Sequence, residues 1–164
     1  MGIRLGIGQD SHAFLTNKED KACVIGGVLF EDVPGFDADS DGDVIFHAIC
    51  QAITSLSHVS ILGQIAPLLC REQGIKDSRV YLQKALATLT RERIEHVALS
   101  LEGKRPRFEP RRDVMRCSIA KEMGINISRV GITSTSGNGL TSFGQGKGVM
   151  CLCLLTVATT QSPK

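Results

Sequence analysis

The order of strand-like and helix-like segments is the feature that most restricts the fold of this chain. Predicted strands cover residues 3–8, 24–30, 96–101, 129–134 and 149–157, and predicted helices cover 44–56, about 78–89 and 113–124. These elements are mixed along the chain, but they contain too few β-α-β alternations for a doubly wound parallel sheet. We therefore predict a single α+β domain over residues 1–164, built as two layers with a mixed sheet and helices packed on one face.

Local signals suggest where several elements begin and end. Ser40 or Asp41 is positioned to cap the helix over 44–56, and Gly124 is positioned to end the helix over 113–124. Residues 16–21 read as a polar turn, and the strand over 24–30 is broken by Gly26 and Gly27. The last strand, 149–157, is continuously apolar, which predicts burial on both of its faces.

Composition argues against several classes of function. The 19 basic and 17 acidic residues leave a net charge of +2, with one Tyr and no Trp, which disfavours nucleic acid and anionic membranes as partners. The six cysteines form no CxxC pair and lie mostly in apolar stretches, as reduced buried thiols do. With no secretory h-region and no apolar run near the roughly 20 residues of a membrane span, we expect a cytoplasmic protein.

Asp10, His12 and His47 are candidate metal ligands. In extended backbone Asp10 and His12 project from the same face, and His47 lies one turn into the helix that follows an acidic loop. Two imidazoles and a carboxylate would form a tetrahedral zinc-type site with one open position. From these residues alone, however, a turn-capping His12 and a hydrogen-bonded core His47 explain the pattern better.

The acidic loop itself imitates a calcium-binding EF-hand. Acidic residues occupy loop positions 1, 3 and 5 from Asp37 onward, with Gly42 at position 6 and an apolar residue at position 8. The motif fails at position 12, where Ala48 replaces the bidentate glutamate, and the preceding segment is strand-like and contains Pro34. We therefore reject a calcium module.

Two further segments allow two interpretations each. The Gly-rich stretches 133–140 and 144–148 combine hydroxyls and glycines, so they suit a phosphate cradle and a plain hairpin connection about equally. They lack the pattern of a Walker A loop. The basic loop 103–107 reads by default as a solvated surface loop, with a nucleotide phosphate partner as the functional alternative.

Taken together, these elements resemble the 2-C-methyl-D-erythritol 2,4-cyclodiphosphate synthases of the non-mevalonate isoprenoid pathway, over residues 4–157. The residues that carry the resemblance are G-x-G-x-D-x-H-x-F from Gly6 to Phe14, Gly26-Gly27, Ser40-Asp41-Gly42-Asp43-Val44 with His47-Ala48 following, Asp77-Ser78, Pro106, Met115-Arg116 and Thr135-Ser136. The set is specific, because both the motifs and their distances along the chain agree.

The resemblance implies a homotrimer with active sites between subunits. The implied reaction is that of a phosphorus-oxygen lyase, which converts 4-diphosphocytidyl-2-C-methyl-D-erythritol 2-phosphate into the cyclic diphosphate and CMP. It implies zinc on Asp10, His12 and His47, and a second ion, magnesium or manganese, on the diphosphate. The substrate's own 2-phosphate would be the nucleophile, so positioning and charge stabilisation would supply most of the rate.

The resemblance also implies roles for individual residues. Ser40 and the helix N-terminus behind it would hold phosphate oxygens, the loop Gly103 to Arg107 the cytidine half, and Thr135 and Ser136 the diphosphate. The full implied set comprises the catalytic candidates Asp39 and Ser136, and the substrate-binding candidates Asp10, His12, Asp39, Ser40, Gly63, Gly103, Lys104, Arg105, Pro106, Arg107, Thr135, Ser136, Asn138, Ser142 and Gln145.

The chain also departs from the family pattern. Asp39 replaces a histidine, Asn138 replaces the glutamate that ligates the second ion, and Gln51 replaces an aspartate. The sugar-binding wall, which is a mobile loop in the family, has lost its carboxylates and reads Ile61-Leu62-Gly63 and Ala66-Pro67-Leu68-Leu69-Cys70. In the last glycine-rich loop, Gln145 replaces an arginine. We hypothesise that Asp39 supplies a ligand for the second ion. The alternative is a catalytically weak homologue that binds nucleotide or isoprenoid diphosphate and acts in regulation.

Overall fold

A computed structural model of the protein describes residues 2–16 and 21–159. Most of the predicted turn over 16–21 lies outside these residues. The elements are β1 (Gly2–Ala13), β2 (Cys23–Ile25), β3 (Val28–Phe30), α1 (Val44–Ser57), α2 (Ala66–Gln73), α3 (Ser78–Leu86), β4 (Glu92–Glu102), α4 (Arg112–Met123), β5 (Val130–Thr135) and β6 (Gly148–Thr159). The α+β class is confirmed.

The main sheet has four strands in the order β1-β6-β4-β5. Strand β6 pairs antiparallel with both β1 and β4, whereas β4 and β5 are parallel. The predicted mixed sheet is therefore confirmed, and β2 and β3 form a separate hairpin around the two glycines. With this topology the carboxyl ends of β1, β4 and β5 meet the amino end of β6 at one end of the sheet.

Helix α1 lies directly against β1 and β6, and two glycines of β1 permit the close approach. A Cβ atom added at Gly6 would lie 2.3 Å from the carbonyl oxygen of Ala52, and one at Gly8 would lie 2.1 Å from that of Ala48. Backbone therefore packs against backbone at this contact. The arrangement brings the first turns of α1 beside the second half of β1.

The expectation that the last strand is buried on both faces is wrong. In β6 the side chains of Val149, Cys151 and Cys153 face the helices and are fully buried, whereas Leu154 is 45% exposed. Burial alternates because the helices cover only one face of the sheet. On the uncovered face of the single chain, β1 exposes Ile3 and Leu5 by 62% and 67%.

Helix α1 is capped by Asp43, and the prediction of Ser40 or Asp41 is wrong. The Asp43 carboxylate accepts hydrogen bonds from the amides of Ile45 and Phe46 at 3.0 and 3.1 Å, and from those of Gly26 and Gly27 at 2.8 and 2.7 Å. Burial raises the pKa of Asp43 to about 6, although the glycine amides lower it. One side chain thus ties the β2–β3 hairpin to α1.

The segment that the resemblance implies to be a loop is helical. A π-helical turn, Ile61–Ile65, leads directly into α2, which ends at Gly74 with a φ of 66°. Among the described residues no single helix is long and apolar enough to cross a membrane. Within this part of the chain, only α1 and Ile61–Gln73 together are that long and apolar, and they are bent by 112° relative to each other. The predicted end of α4 at Gly124 is confirmed, whereas α3 ends at Leu86 rather than near residue 89.

Candidate metal centre and substrate pocket

The side chains of Asp10, His12 and His47 meet where β1 faces the first turn of α1. Asp10 and His12 lie two residues apart on β1, so both point toward the helix, as predicted. Asp10 Oδ2 lies 3.0 Å from His12 Nε2 and 3.1 Å from His47 Nδ1, and the two imidazole nitrogens are 3.2 Å apart. The interpretation of His12 as a turn cap is therefore wrong.

The three atoms have the spacing that a tetrahedral metal site requires. With metal–ligand bonds of about 2.0–2.1 Å, neighbouring ligand atoms in a tetrahedron lie about 3.3 Å apart. The observed 3.0–3.2 Å is close to that edge, and within the described part of the chain this is the only cluster of its kind. The residues therefore fit a divalent metal with at least one coordination position left for another ligand.

The electrostatics of the cluster favour an ionised Asp10. Burial raises the pKa of the Asp10 carboxyl, but hydrogen bonds from His12 and His47 and the charges of both imidazoles outweigh it and lower that pKa to about 2. The carboxylate is thus available to a cation throughout the neutral range. His47 is buried and His12 half-buried, so the ligands are partly shielded from water.

The cluster forms the floor of a pocket of about 400 Å³. Its walls come from the acidic loop, from α1, and from the helical segment that sequence patterns did not predict. The lining residues are Asp10, His12, Ala38, Asp39, Ser40, His47, Gln51, Leu62, Gly63, Ala66, Pro67, Cys70, Arg71 and Tyr81. Apart from the metal cluster, the wall is largely apolar on the side of α2, and Asp39 and Arg71 supply its other charged groups.

Predicted substrate-binding residues from the first half of the chain gather in this pocket. Asp39, Ser40 and Gly63 all line it, as do the metal ligands. Asp43 accepts from the amides of Ile45 and Phe46 at the N-terminus of α1, and the Ser40 hydroxyl accepts from Gly42 N at 3.2 Å. That Ser40 and this helix N-terminus hold phosphate oxygens stays a prediction. Ser40 itself is buried, 3.5 Å from His47 Nε2.

The predicted residues from the second half form a separate surface at the same end of the sheet. The loop after β4 hydrogen-bonds the loops after β5 and before β6, through Gly103 N to Thr135 O and Lys104 N to Phe143 O. None of these loops contributes to the 400 Å³ pocket among the described residues. The exposed members are Lys104, Arg105, Arg107, Thr135, Ser136, Asn138, Ser142 and Gln145, whereas Gly103 and Pro106 are buried.

An aromatic pair lies between the two groups. The Arg105 guanidinium lies 5.0 Å from the centre of the Phe14 ring, which stacks on Phe36, and Phe36 is 5.9 Å from His12 between ring centres. Strands β1 and β4 are two strand spacings apart, or roughly 10 Å. One chain therefore offers a pocket with a candidate metal site at one sheet edge and a basic, hydroxyl-rich surface toward the other edge.

The acidic loop does not form a calcium site. Among the described residues, the loop carboxylates do not form a group close enough to share one ion. Asp43 instead caps α1, and Asp41 accepts hydrogen bonds from Ser78 and from Asp43 N. Sequence reasoning missed Arg71 and Tyr81 as pocket residues. No helix was predicted around Arg71. Tyr81 lies one turn into α3 and resembles an ordinary buried helix residue, so only the packing of α2 and α3 shows that both side chains line the pocket.

Comparison with known proteins places this fold and site in one family. The YgbB family matches residues 3–158. A 2-C-methyl-D-erythritol 2,4-cyclodiphosphate synthase from Chlamydia caviae is 53% identical over 156 residues, covering 94% of this chain and 89% of the relative. The chain therefore belongs to the YgbB family. Its curated relatives carry the name 2-C-methyl-D-erythritol 2,4-cyclodiphosphate synthase, which denotes a lyase of the isoprenoid pathway.

Solved structures agree with this assignment. The IspF of Plasmodium falciparum, in a CDP complex, has the same fold, with a TM-score of 0.81 at 23% identity over 98% of each chain. A CDP-bound form of a 2C-methyl-D-erythritol-2,4-cyclodiphosphate synthase gives a TM-score of 0.74 at 26% identity, covering 94% of this chain and all of that one. The resemblance predicted from the sequence is confirmed.

Proposed function

We propose that the protein is a metal-dependent cyclodiphosphate synthase that converts 4-diphosphocytidyl-2-C-methyl-D-erythritol 2-phosphate into 2-C-methyl-D-erythritol 2,4-cyclodiphosphate and CMP. The observation that carries the proposal is the convergence of Asp10, His12 and His47 on one point at the floor of a pocket. Over 156 residues the chain is 53% identical to a synthase of that name. A homologue that had lost its chemistry would have little reason to retain this geometry.

The proposed reaction needs no nucleophile from the protein. An oxygen of the substrate's 2-phosphate forms a bond to the β-phosphorus, and the bond from that phosphorus to the bridging oxygen of CMP breaks, so CMP leaves with the electron pair. A bound zinc ion would act as Lewis acid and template for the β-phosphate. The protein's own contribution is to hold both phosphates in line within a confined pocket, where orientation lowers the barrier most.

Individual residues would then have distinct tasks. Ser40, buried beside His47, is placed to donate its hydroxyl proton to a phosphate oxygen. Gly63 presents backbone at the pocket wall, where a Cβ would lie 2.6 Å from the Ser60 hydroxyl. Ser136 and Lys104 belong to the exposed loop surface and suit the phosphates and cytidine of the nucleotide half.

Because the pocket and the loop surface lie apart in one chain, we extend the proposal to a homotrimer. In that assembly the loops of one subunit, Gly103 to Arg107 and Thr135 to Gln145, would complete the pocket of its neighbour. The uncovered sheet face supports association. Alternate residues of β1 form an apolar row on this face, where Ile3, Leu5 and Ile7 are 62%, 67% and 58% exposed. Association would bury this apolar surface, and each Å² removed from water would contribute about 25 cal/mol to the free energy of association.

The proposal also covers the second ion. Asp39 is exposed at the pocket rim, on the same loop as Ser40, and no ion pair occupies it among the described residues. Asn138 offers only an amide oxygen, so Asp39 would supply the carboxylate for magnesium or manganese on the diphosphate. Asp39→Ala should then weaken the dependence of activity on magnesium, and unchanged magnesium dependence would contradict this role.

Turnover of the diphosphocytidyl substrate tests the function directly. Purified protein would be assayed with zinc and magnesium, following CMP by chromatography and the cyclic diphosphate by phosphorus NMR. His12→Ala should abolish both products. His58→Asn is the matched control, because His58 lies at the far end of α1 with a φ of 62°, a conformation that asparagine tolerates. Tight CDP binding without turnover by the unmodified protein would contradict the proposed reaction and favour the regulatory alternative.

A further inference from the structure

The metal ligand His47 is held by a hydrogen-bonded chain that ends on Asp41. On one side of the ring, Nδ1 faces Asp10 and His12. On the other side, Nε2 lies 2.8 Å from the hydroxyl oxygen of Ser78. Ser78 is the first residue of α3, and its side chain is completely buried. Ser78 in turn contacts the Asp41 carboxylate through its hydroxyl and, at 3.1 Å, through its backbone amide.

The number of protons in this chain determines its direction. An ionised carboxylate only accepts hydrogen bonds, so the single hydroxyl proton of Ser78 is donated to Asp41. The Ser78 oxygen is then an acceptor toward His47, and His47 Nε2 must be the nitrogen that carries the proton. In the neutral ring that binds a cation, the lone pair is therefore on Nδ1, the atom that donates to Asp10 Oδ2 at 3.1 Å when no metal is bound.

We infer that Ser78 and Asp41 are positioning residues, which fix the tautomer and orientation of His47 so that Nδ1 is ready to bind the metal. The inference rests on the proposed metal site and adds a function for two residues outside it. Such partners raise the basicity of a ligating imidazole and prevent its rotation. The other hydroxyl near Nε2, that of Ser40, is 3.5 Å away and already accepts from Gly42 N, so it replaces Ser78 poorly.

This arrangement joins three separate parts of the chain. The acidic loop supplies Asp41, α3 supplies Ser78 and α1 supplies His47, so the metal site is sensitive to how the loop and both helices pack. Asp41 also accepts from Asp43 N at 3.1 Å, which anchors it beside the cap of α1. A role in capping α3 alone does not explain Ser78, because Asp77 is the side chain that caps that helix.

Zinc affinity, measured by competition with a chromogenic chelator, tests the inference without reference to activity. Ser78→Ala should weaken zinc binding about 10- to 100-fold, the effect expected when a partner of a metal ligand is removed. Asp41→Asn retains the shape of the side chain but loses its charge, so it should weaken binding by a smaller factor. Ser78→Thr keeps the hydroxyl and should restore much of the affinity.

A double variant and a control separate this role from general stability. Because both residues act through one hydrogen-bonded chain, Ser78→Ala with Asp41→Asn should bind zinc no more weakly than Ser78→Ala alone. Ser55→Ala is the control, since the Ser55 hydroxyl also links α1 to β1, through Ile7 N, but touches no metal ligand. It should lower the melting temperature without changing zinc affinity.

The visible spectrum of bound cobalt provides a second readout. Cobalt in the unmodified protein should show the absorption of a tetrahedral site, and Ser78→Ala should change that spectrum, because a loosened imidazole alters the ligand geometry. Unmodified affinity and an unmodified cobalt spectrum in folded Ser78→Ala would overturn the inference. Failure of the unmodified protein to bind zinc or cobalt would instead defeat the proposed metal site itself.

Discussion

Gly8→Ala tests whether the contact between β1 and α1 positions the candidate metal ligands. The added methyl group would lie 2.1 Å from the carbonyl oxygen of Ala48 and 2.3 Å from the amide nitrogen of Ala52, both backbone atoms of α1. Because carbon–oxygen contacts between chain segments are normally about 3.3 Å or longer, helix and strand would have to separate by about 1.2 Å. No side-chain rotation can relieve a clash with backbone.

The displacement would act directly on the ligands. His47 is the residue before Ala48 on α1, and Asp10 lies two residues beyond Gly8 on β1, so the gap between their ligand atoms widens with the helix. Metal sites tolerate distance errors of about 0.2 Å. We expect zinc affinity to fall at least about 10-fold, and the free energy of unfolding to fall by about 3 kcal/mol, the upper part of the usual range for an overpacked core.

Chelator competition and urea unfolding measure the two quantities. Gly131→Ala is the control, because Gly131 lies in β5 and its added methyl would be 3.3 Å from the exposed side chain of His96 and 3.9 Å from the Val97 carbonyl oxygen, an ordinary contact distance. That variant should keep zinc affinity and remain within about 0.5 kcal/mol of the parent. A Gly8→Ala protein with parental zinc affinity and stability would refute the argument that close backbone packing positions the site.

Three further predictions concern buried groups. Asp43→Ala leaves several buried amides without an acceptor and should cost about 3–5 kcal/mol in urea unfolding, whereas Asp77→Ala, an exposed cap, should cost about 1 kcal/mol; equal losses would contradict the role of burial. Burial raises the pKa of the Cys153 thiol to about 12, so iodoacetamide at pH 8 should modify exposed Cys117 and spare Cys153, as peptide mass spectrometry would show. The folded pKa of Asp10, about 2, lies below its ordinary 3.8, so the metal-free protein should lose about 2 kcal/mol of stability as pH falls from 4 to 2, and Asp10→Asn should lack this loss.

Local patterns predicted the elements well where they depend on nearby residues. The strand predicted over 96–101 lies within β4, where Val97, Leu99 and Leu101 alternate and are all buried, and Gly124 correctly marked the end of α4. The same reasoning failed for β6, because an apolar sequence does not reveal which faces other elements cover. Local patterns also did not predict the helical segment 61–73, of which the first turn, Ile61–Ile65, packs against α1 and α3.

The sequence by itself identified three candidate metal ligands, Asp10, His12 and His47. It could do so because side-chain chemistry and short spacings along the chain are local properties. What the sequence alone left open was whether His47 is a core histidine or a metal ligand. The packing of α1 on β1 shows that His47 can join Asp10 and His12 in a group able to hold a metal, since it brings Nδ1 to 3.1 Å from a carboxylate 37 residues away in the chain. The orientation of that ring through Ser78 likewise depends on three segments meeting, and contacts between distant segments are fixed by tertiary packing rather than by local preference.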